Sequence, residues 1–257
     1  MQRLIVALSF LALSGCIVGG DLIKHSEAPW QVALIQGASI NKVEGLKCGG
    51  VAIDSQWVLT AAHCFYNDKD KINSPDDKFY IGYGSANLLR GIVKVSIVQI
   101  ELGRRFQGGG LVDDIALVKV SPPMQISSYM RLPDEGIERE RKKSNLPVMV
   151  TGWGYTQFRR KSEDLRGVEI RTVDYSACQS KRTRKLPSEI ICAGEEGRDS
   201  CTFDSGGPLF VGGKLPSRQM QIGVVIYGPE KCGSGVPGVY TDVYSYLPWI
   251  KETREKY

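Results

Sequence analysis

Three short segments carry residue types that could do nucleophilic chemistry together. The stretch "CTFDSGGP" at 201–208 places Ser205 between Asp204 and two glycines that run into Pro208. A serine hydroxyl attacks poorly until a base removes its proton and an oriented acid steadies that base. The tetrahedral intermediate that follows needs N–H donors aimed at its oxygen. Glycine turns expose a side chain and leave backbone N–H groups free, which suits a nucleophile. Taken alone, a serine before Gly-Gly-Pro could equally be an ordinary turn. His63 lies in "LTAAHC" and is one of only two histidines in the chain. A lone histidine is more often a core or surface residue, but this one abuts a cysteine that could pin its loop. Asp114 opens "DIALVKV", a carboxylate at the mouth of an apolar strand, where it could orient an imidazole. The chain order is His, Asp, Ser, one of the orders in which base, orienting acid and nucleophile occur.

The elements that must position these residues read as strands. Short apolar stretches rich in Val, Ile and aromatics occur at 31–35, 50–53, 56–60, 79–82, 92–100, 115–120, 147–151, 167–173, 221–226 and 238–243. Gly, Pro, Asn or Asp often lie between them, and many short strands at such intervals predict an all-β barrel or sandwich. Only 246–256 has a helical pattern, with Leu247 and Ile250 on one side and Pro248 acceptable near the first turn. The charged stretch 134–145 is poor in apolar residues and falls midway between two groups of strands. It is expected to be a surface loop connecting two half-domains.

The chain of 257 residues is 42% hydrophobic and 24% charged, with 29 Gly and 12 Pro. This is a globular composition, long enough to bury a sizeable core. The net charge of +5 is uneven, with basic runs at 139–143, 159–161 and 181–185. Runs this short read as solvated loops, and no aromatics are interleaved, so no nucleic-acid partner is expected. At the N-terminus a basic residue, the apolar run 4–13 and the small residues Ser14-Gly15-Cys16 stand in the order of a secretory signal peptide. Residues 1–16 are therefore expected to be removed and the product secreted. "LSGC" also suits a lipoprotein signal, which would keep the chain lipid-anchored through Cys16. No other segment approaches membrane-spanning length. Of seven cysteines, six remain without Cys16, an even number that suits an oxidising compartment. Six cysteines allow fifteen pairings, and spacing does not choose among them. With no Cys-x-x-Cys pair, zinc is disfavoured, and neither metal nor cofactor is expected.

The motifs "IVGG" (17–20), "LTAAHC", "DIAL", "GWG" (152–154), "DSC" (199–201), "DSGGP" and "PGVYTDV" occur in this order from Ile17 to the C-terminal helix. In them the chain resembles the chymotrypsin/trypsin family of serine proteases. The resemblance implies two six-stranded antiparallel β-barrels with a C-terminal helix, in one protease domain over 17–257, its site in the cleft between barrels. It implies His63 as general base, Asp114 as its orienting partner and Ser205 as nucleophile. The backbone N–H groups of Phe203 and Ser205 would form the oxyanion hole. Asp199 would stand at the floor of the primary pocket, with Gly228 and Gly238 keeping that pocket open for a long side chain. This implies cleavage after Arg or Lys in protein and peptide substrates by a monomer. Ile17 would become a new N-terminus whose ammonium pairs with buried Asp204. The implied disulfides are Cys48–Cys64, Cys178–Cys192 and Cys201–Cys232.

The sequence departs from the family pattern at three pocket positions. Phe203 replaces the usual glycine beside the nucleophile, which would strain a backbone at positive φ and crowd the leaving-group side against large protein inhibitors. Ile226 replaces a serine that ordinarily bonds the triad aspartate, and Tyr227 replaces a tryptophan. These departures keep open a second reading, a weak or inactive homologue acting as a binding or regulatory protein. Cys16 directly precedes Ile17, so signal removal would expose Ile17 without a separate activation step. No counterpart of the family's calcium loop is evident, and Asp68, Asp70, Asp76 and Asp77 read as a solvated acidic loop.

Overall fold

The computed structural model describes residues 17, 19–37, 43–66, 79–141, 144–156 and 158–257. The expected signal segment with Cys16, and the acidic stretch of Asp68, Asp70, Asp76 and Asp77, lie outside them.

A short strand β1 (Asp21–Leu22) precedes two closed barrels. The first contains β2 (Gln31–Gln36), β3 (Leu46–Ala52), β4 (Trp57–Thr60), β5 (Phe79–Tyr83), β6 (Val93–Leu102) and β7 (Ala116–Ser121). Its strands pair in the order β2-β3-β4-β7-β6-β5, and β5 pairs back to β2. The second contains β8 (Pro147–Gly152), β9 (Arg166–Val173), β10 (Ile190–Ala193), β11 (Pro208–Val211), β12 (Met220–Tyr227) and β13 (Gly238–Asp242). Its order is β9-β10-β13-β12-β11-β8, closed by β8 on β9, and β1 adds to the outer edge of β9. All these pairings are antiparallel, and closure leaves no barrel edge open to other chains. Both barrels are filled by branched and aromatic side chains, among them Val58, Leu117 and Phe65 in the first and Val150, Ile170 and Tyr240 in the second. Each fully buried aliphatic side chain of this kind contributes roughly 1.5–3 kcal/mol before ordering costs.

The ten expected strands form, with ends shifted by up to four residues. Three strands were not anticipated: β1, β10 and β11. β11 begins at Pro208, directly behind the turn-forming glycines, so its apolar run of three is masked by turn residues. The run in β10, Ile190-Ile191-Cys192-Ala193, is only four residues long.

The stretch 134–145 does connect the barrels, but it is not simply a loop. Glu135–Arg141 form a helix, α1. Asp134 Oδ1 accepts the N–H of Ile137 at 2.9 Å, satisfying an orphan donor at the helix start. Acidic Glu135 and Glu138 occupy its first turn and basic Arg139 and Arg141 its last, as the helix dipole favours. Apolar periodicity could not reveal a helix held by caps and charge. A second short helix, α2 (Tyr175–Ser180), carries Cys178 toward β10. The expected terminal helix forms as α3 (Leu247–Lys256), with Pro248 in its first turn and Ile250 and Thr253 buried.

The barrels meet through polar as well as apolar contacts. Trp30 Nε1 donates to Gln219 Oε1 at 2.6 Å, and Thr151 Oγ1 donates to Gln31 Oε1 at 2.6 Å. The rings of Trp30 and Phe210 meet edge to face at 5.1 Å. These buried bonds require their partners in place, so they set how one barrel sits on the other.

Candidate active site

The imidazole and carboxylate come from the first barrel. His63 lies in a 3-10 turn at 62–65, immediately after β4, and the disulfide Cys48–Cys64 ties that turn to β3. Asp114 lies two residues before β7, the strand that pairs with β4. His63 Nδ1 stands 2.7 Å from Asp114 Oδ2, and the His63 N–H donates to Asp114 Oδ1 at 2.9 Å. Each carboxylate oxygen therefore has a partner although Ile226 supplies none. Thr241 Oγ1 fixes the same loop by donating to the Asp114 carbonyl at 2.7 Å. Asp114 is buried and the His63 side chain is 27% exposed, so the ring presents a reachable edge. A carboxylate on Nδ1 favours the tautomer that donates from that nitrogen, which leaves Nε2 as an acceptor. Both sulfurs near His63 are in the disulfide, so this cluster is not a metal-ligand set.

Ser205 comes from the second barrel, on the loop before β11. Its carbonyl accepts the Gly49 N–H at 2.8 Å, and the Gly206 N–H donates to the Val225 carbonyl at 2.8 Å. Gly206 has φ +77°, and a Cβ there would lie 2.1 Å from Thr60 Oγ1 and 3.2 Å from the Ala61 nitrogen. Only glycine permits so close an approach, and it places the serine loop against the segment that leads into His63. Asp113, which had no role assigned from the sequence, accepts Arg105 and the Tyr246 hydroxyl and so braces the Asp114 loop.

Phe203 does adopt positive φ, at +73°. Its ring meets the Tyr155 ring edge-on at 4.9 Å, and Lys161 Nζ lies 3.9 Å from the Phe203 ring centroid. Lys161 in turn donates to the carbonyls of Glu44 and Leu46 at 3.0 and 2.7 Å. The ring thus meets Tyr155 and Lys161, and Lys161 is anchored at the entry to β3. Among the described residues, the N–H groups of Phe203 and Ser205 donate to no protein acceptor.

Asp204 is fully buried, with Oδ1 accepting the Gly154 N–H at 2.8 Å and Oδ2 that of Cys201 at 2.9 Å. A Cβ on Gly154 would lie 2.6 Å from the carboxylate, which explains a glycine in "GWG". Burial pushes the Asp204 carboxyl up to about 7, against which these two N–H bonds work. Ile17 is buried in the core of the second barrel, beside Gly20.

A cavity of about 180 Å³ opens beside Ser205, lined by Ser200–Thr202, residues 225–229 and Cys232. The disulfide Cys201–Cys232 brackets it. Asp199 lies just behind Ser200, 1% exposed, with Oδ1 unpartnered and Oδ2 3.4 Å from the Gly233 N–H. Burial pushes its carboxyl up to about 7. A Cβ on Gly238 would lie 3.3 Å from Asp199 Oδ1, whereas Gly228 borders open space. Ser205 and Gly228 thus line the cavity, Gly238 and Asp199 lie against one another beside it, and the serine loop packs on the segment that leads into the His63–Asp114 pair. All three implied disulfides are present.

Two antiparallel barrels, with a serine loop from one packed on the segment that leads into a His–Asp pair on the other, define the class of two-barrel serine hydrolases. The trypsin family model matches residues 17–250. The chain is 31% identical to trypsin of Sus scrofa, over 92% of this chain and 95% of that protein. It is 32% identical to trypsin eta of Drosophila melanogaster, over 95% and 90%. It is also 34% identical to CLIP domain-containing serine protease B4 of Anopheles gambiae, over 93% of this chain and 71% of that one. The chain belongs to the trypsin family and is a serine endopeptidase.

Proposed function

We propose that this enzyme is secreted and cleaves peptide bonds after arginine or lysine through an acyl-enzyme. The observation that carries the specificity is the orphaned, buried Asp199 oxygen behind a cavity that opens at Ser205. An unpaired acceptor in so dry a site favours a cationic partner. His63, oriented by Asp114, takes the Ser205 proton as the hydroxyl attacks the carbonyl, then returns it to the leaving amine. The free N–H groups of Phe203 and Ser205 receive the developing oxyanion. Removal of residues 1–16 exposes Ile17, whose ammonium supplies Asp204 with the counter-charge its burial calls for. The enzyme acts as a monomer without metal or cofactor, and large protein inhibitors bind weakly because of Phe203. Among the described residues, no helix is long and apolar enough to cross a membrane.

The test is hydrolysis of a small arginine-linked chromogenic amide by the form that begins at Ile17. Ser205→Ala should lower kcat by roughly five to six orders of magnitude. No turnover by the unaltered enzyme, with the amide still bound, would support the regulatory homologue instead.

A further inference from the structure

The basic run 181–185 is not a free solvated loop. Lys181 Nζ donates to the Gly235 carbonyl at 2.7 Å, Arg184 Nη1 to that of Gly109 at 3.3 Å, and Arg182 Nη2 to that of Pro237. The Arg182 guanidinium also lies 5.1 Å from the ring centroid of Tyr227, a wall residue of the specificity cavity. A Cβ on Gly194 would stand 3.2 Å from Pro237 Cα and 3.7 Å from Asp199 Oδ1, so Pro237 and Asp199 meet across that glycine. Arg182 is therefore held on the outer side of the pocket's closed end. Its Nε is buried without a partner, as is the Asp199 Oδ1.

We propose that Arg182 is a specificity-determining residue, a resident cation that shares Asp199 with the incoming arginine or lysine and lowers the enzyme's preference for them. This rests on the reading of Asp199 as the pocket-floor carboxylate. A substrate cation entering the cavity meets a carboxylate whose field is already partly neutralised, and a like charge stands behind it. The two side chains do feel one another: burial dominates both, raising Asp199 and lowering Arg182, while each charge works against that shift in the other. The other groups that act on Asp199 are the Gly233 and Ser200 N–H donors and the buried Asp204, which adds negative charge, with the Tyr240 hydroxyl nearby paired with Ser200 Oγ at 3.1 Å. None of them supplies a second cation.

The experiment compares benzamidine inhibition, and kcat/KM on amides differing only in Arg or Gln before the scissile bond, at pH 8.5. Active enzyme is counted by the burst with a neutral nitrophenyl ester. Arg182→Gln should tighten benzamidine about fivefold and raise the Arg-over-Gln ratio by a similar factor. Arg182→Met, which keeps an apolar stem against Tyr227, should do the same, and Arg182→Lys should change either readout by less than twofold. Adding Asp199→Asn should erase the gain. If Asp199→Asn alone abolishes benzamidine binding but Arg182→Gln and Arg182→Met leave it unchanged or weaker, the role of Arg182 is refuted. If Asp199→Asn alone has no effect, the basic-residue reading fails, and the role of Arg182 with it.

Discussion

Phe203 is where one residue works against its own backbone. A bulky L-residue at φ +73° costs of order 1–2 kcal/mol, so something must hold it there. The Tyr155 edge and the Lys161 ammonium do so, and Lys161 is itself anchored on the Glu44 and Leu46 carbonyls. The N–H proposed to serve the oxyanion is kept by any non-proline residue at 203, whereas the ring belongs to phenylalanine alone. Phe203→Gly should release the strain and open that side of the cleft. Affinity for a large protein inhibitor should rise about tenfold, with a smaller gain in kcat/KM on the small amide. Unchanged values for both would show that the ring obstructs nothing. The family's usual glycine at 203 raises the question of positive φ there; the partners that steady Phe203 lie 42 and 48 positions earlier, and no sequence pattern points to them.

At the scale of elements, the connecting helix α1 does more than span two barrels. Arg141 donates to Glu138 at 2.7 and 2.8 Å and to Asp242, the last residue of β13, at 2.8 Å. Asp242 then accepts the Tyr244 N–H and the Ser245 hydroxyl as the chain turns toward α3. Arg141 thus ties the inter-barrel connection to the exit of the second barrel. Removing it takes the cation away from Asp242, a buried carboxylate. Arg141→Ala should cost about 3–5 kcal/mol of stability, while kcat on the amide stays within about twofold because Arg141 itself bonds neither His63, Asp114 nor Ser205. Thermal unfolding and kinetics of the same preparation test both halves. The helix eluded a search for apolar periodicity because its determinants are a capping aspartate and ion pairs.

For the whole molecule, Asp204 sets a pH dependence that differs between two forms of the chain. Its native carboxyl sits at about 7 against an ordinary 3.8, owing first to burial. A raised native pKa means that the folded state holds the proton more tightly. The associated stability is fully present below pH 4 and is lost as pH rises through 7. If the Ile17 ammonium pairs with Asp204, the carboxylate is favoured and this loss disappears. Asp199, raised likewise to about 7, contributes a similar slope to both forms. The melting temperature of the form beginning at Ile17 should therefore pull ahead of the form that keeps the preceding residues, with the gap widening from pH 4 to pH 7. A constant gap over that range would remove Ile17 from the role proposed for it.

Local residue type was enough to mark the serine loop, the histidine turn, most strands and the terminal helix. Each depends on glycine turns, β-branched runs or a proline in a first turn, which act over a few residues. The cysteines were countable from sequence, but pairing them by residue reasoning alone was impossible, since any of fifteen combinations closes loops of acceptable length. The family motifs supplied the pairing that spacing could not. The tertiary structure alone decided that the Asp114 carboxylate meets His63 through both oxygens, that Gly206 is wedged against Thr60, and that Arg182 lies against the Tyr227 ring. These contacts join residues 51, 146 and 45 positions apart. They exist because closing two barrels and packing one on the other brings chain-distant backbone within ångströms, a constraint that no local pattern contains.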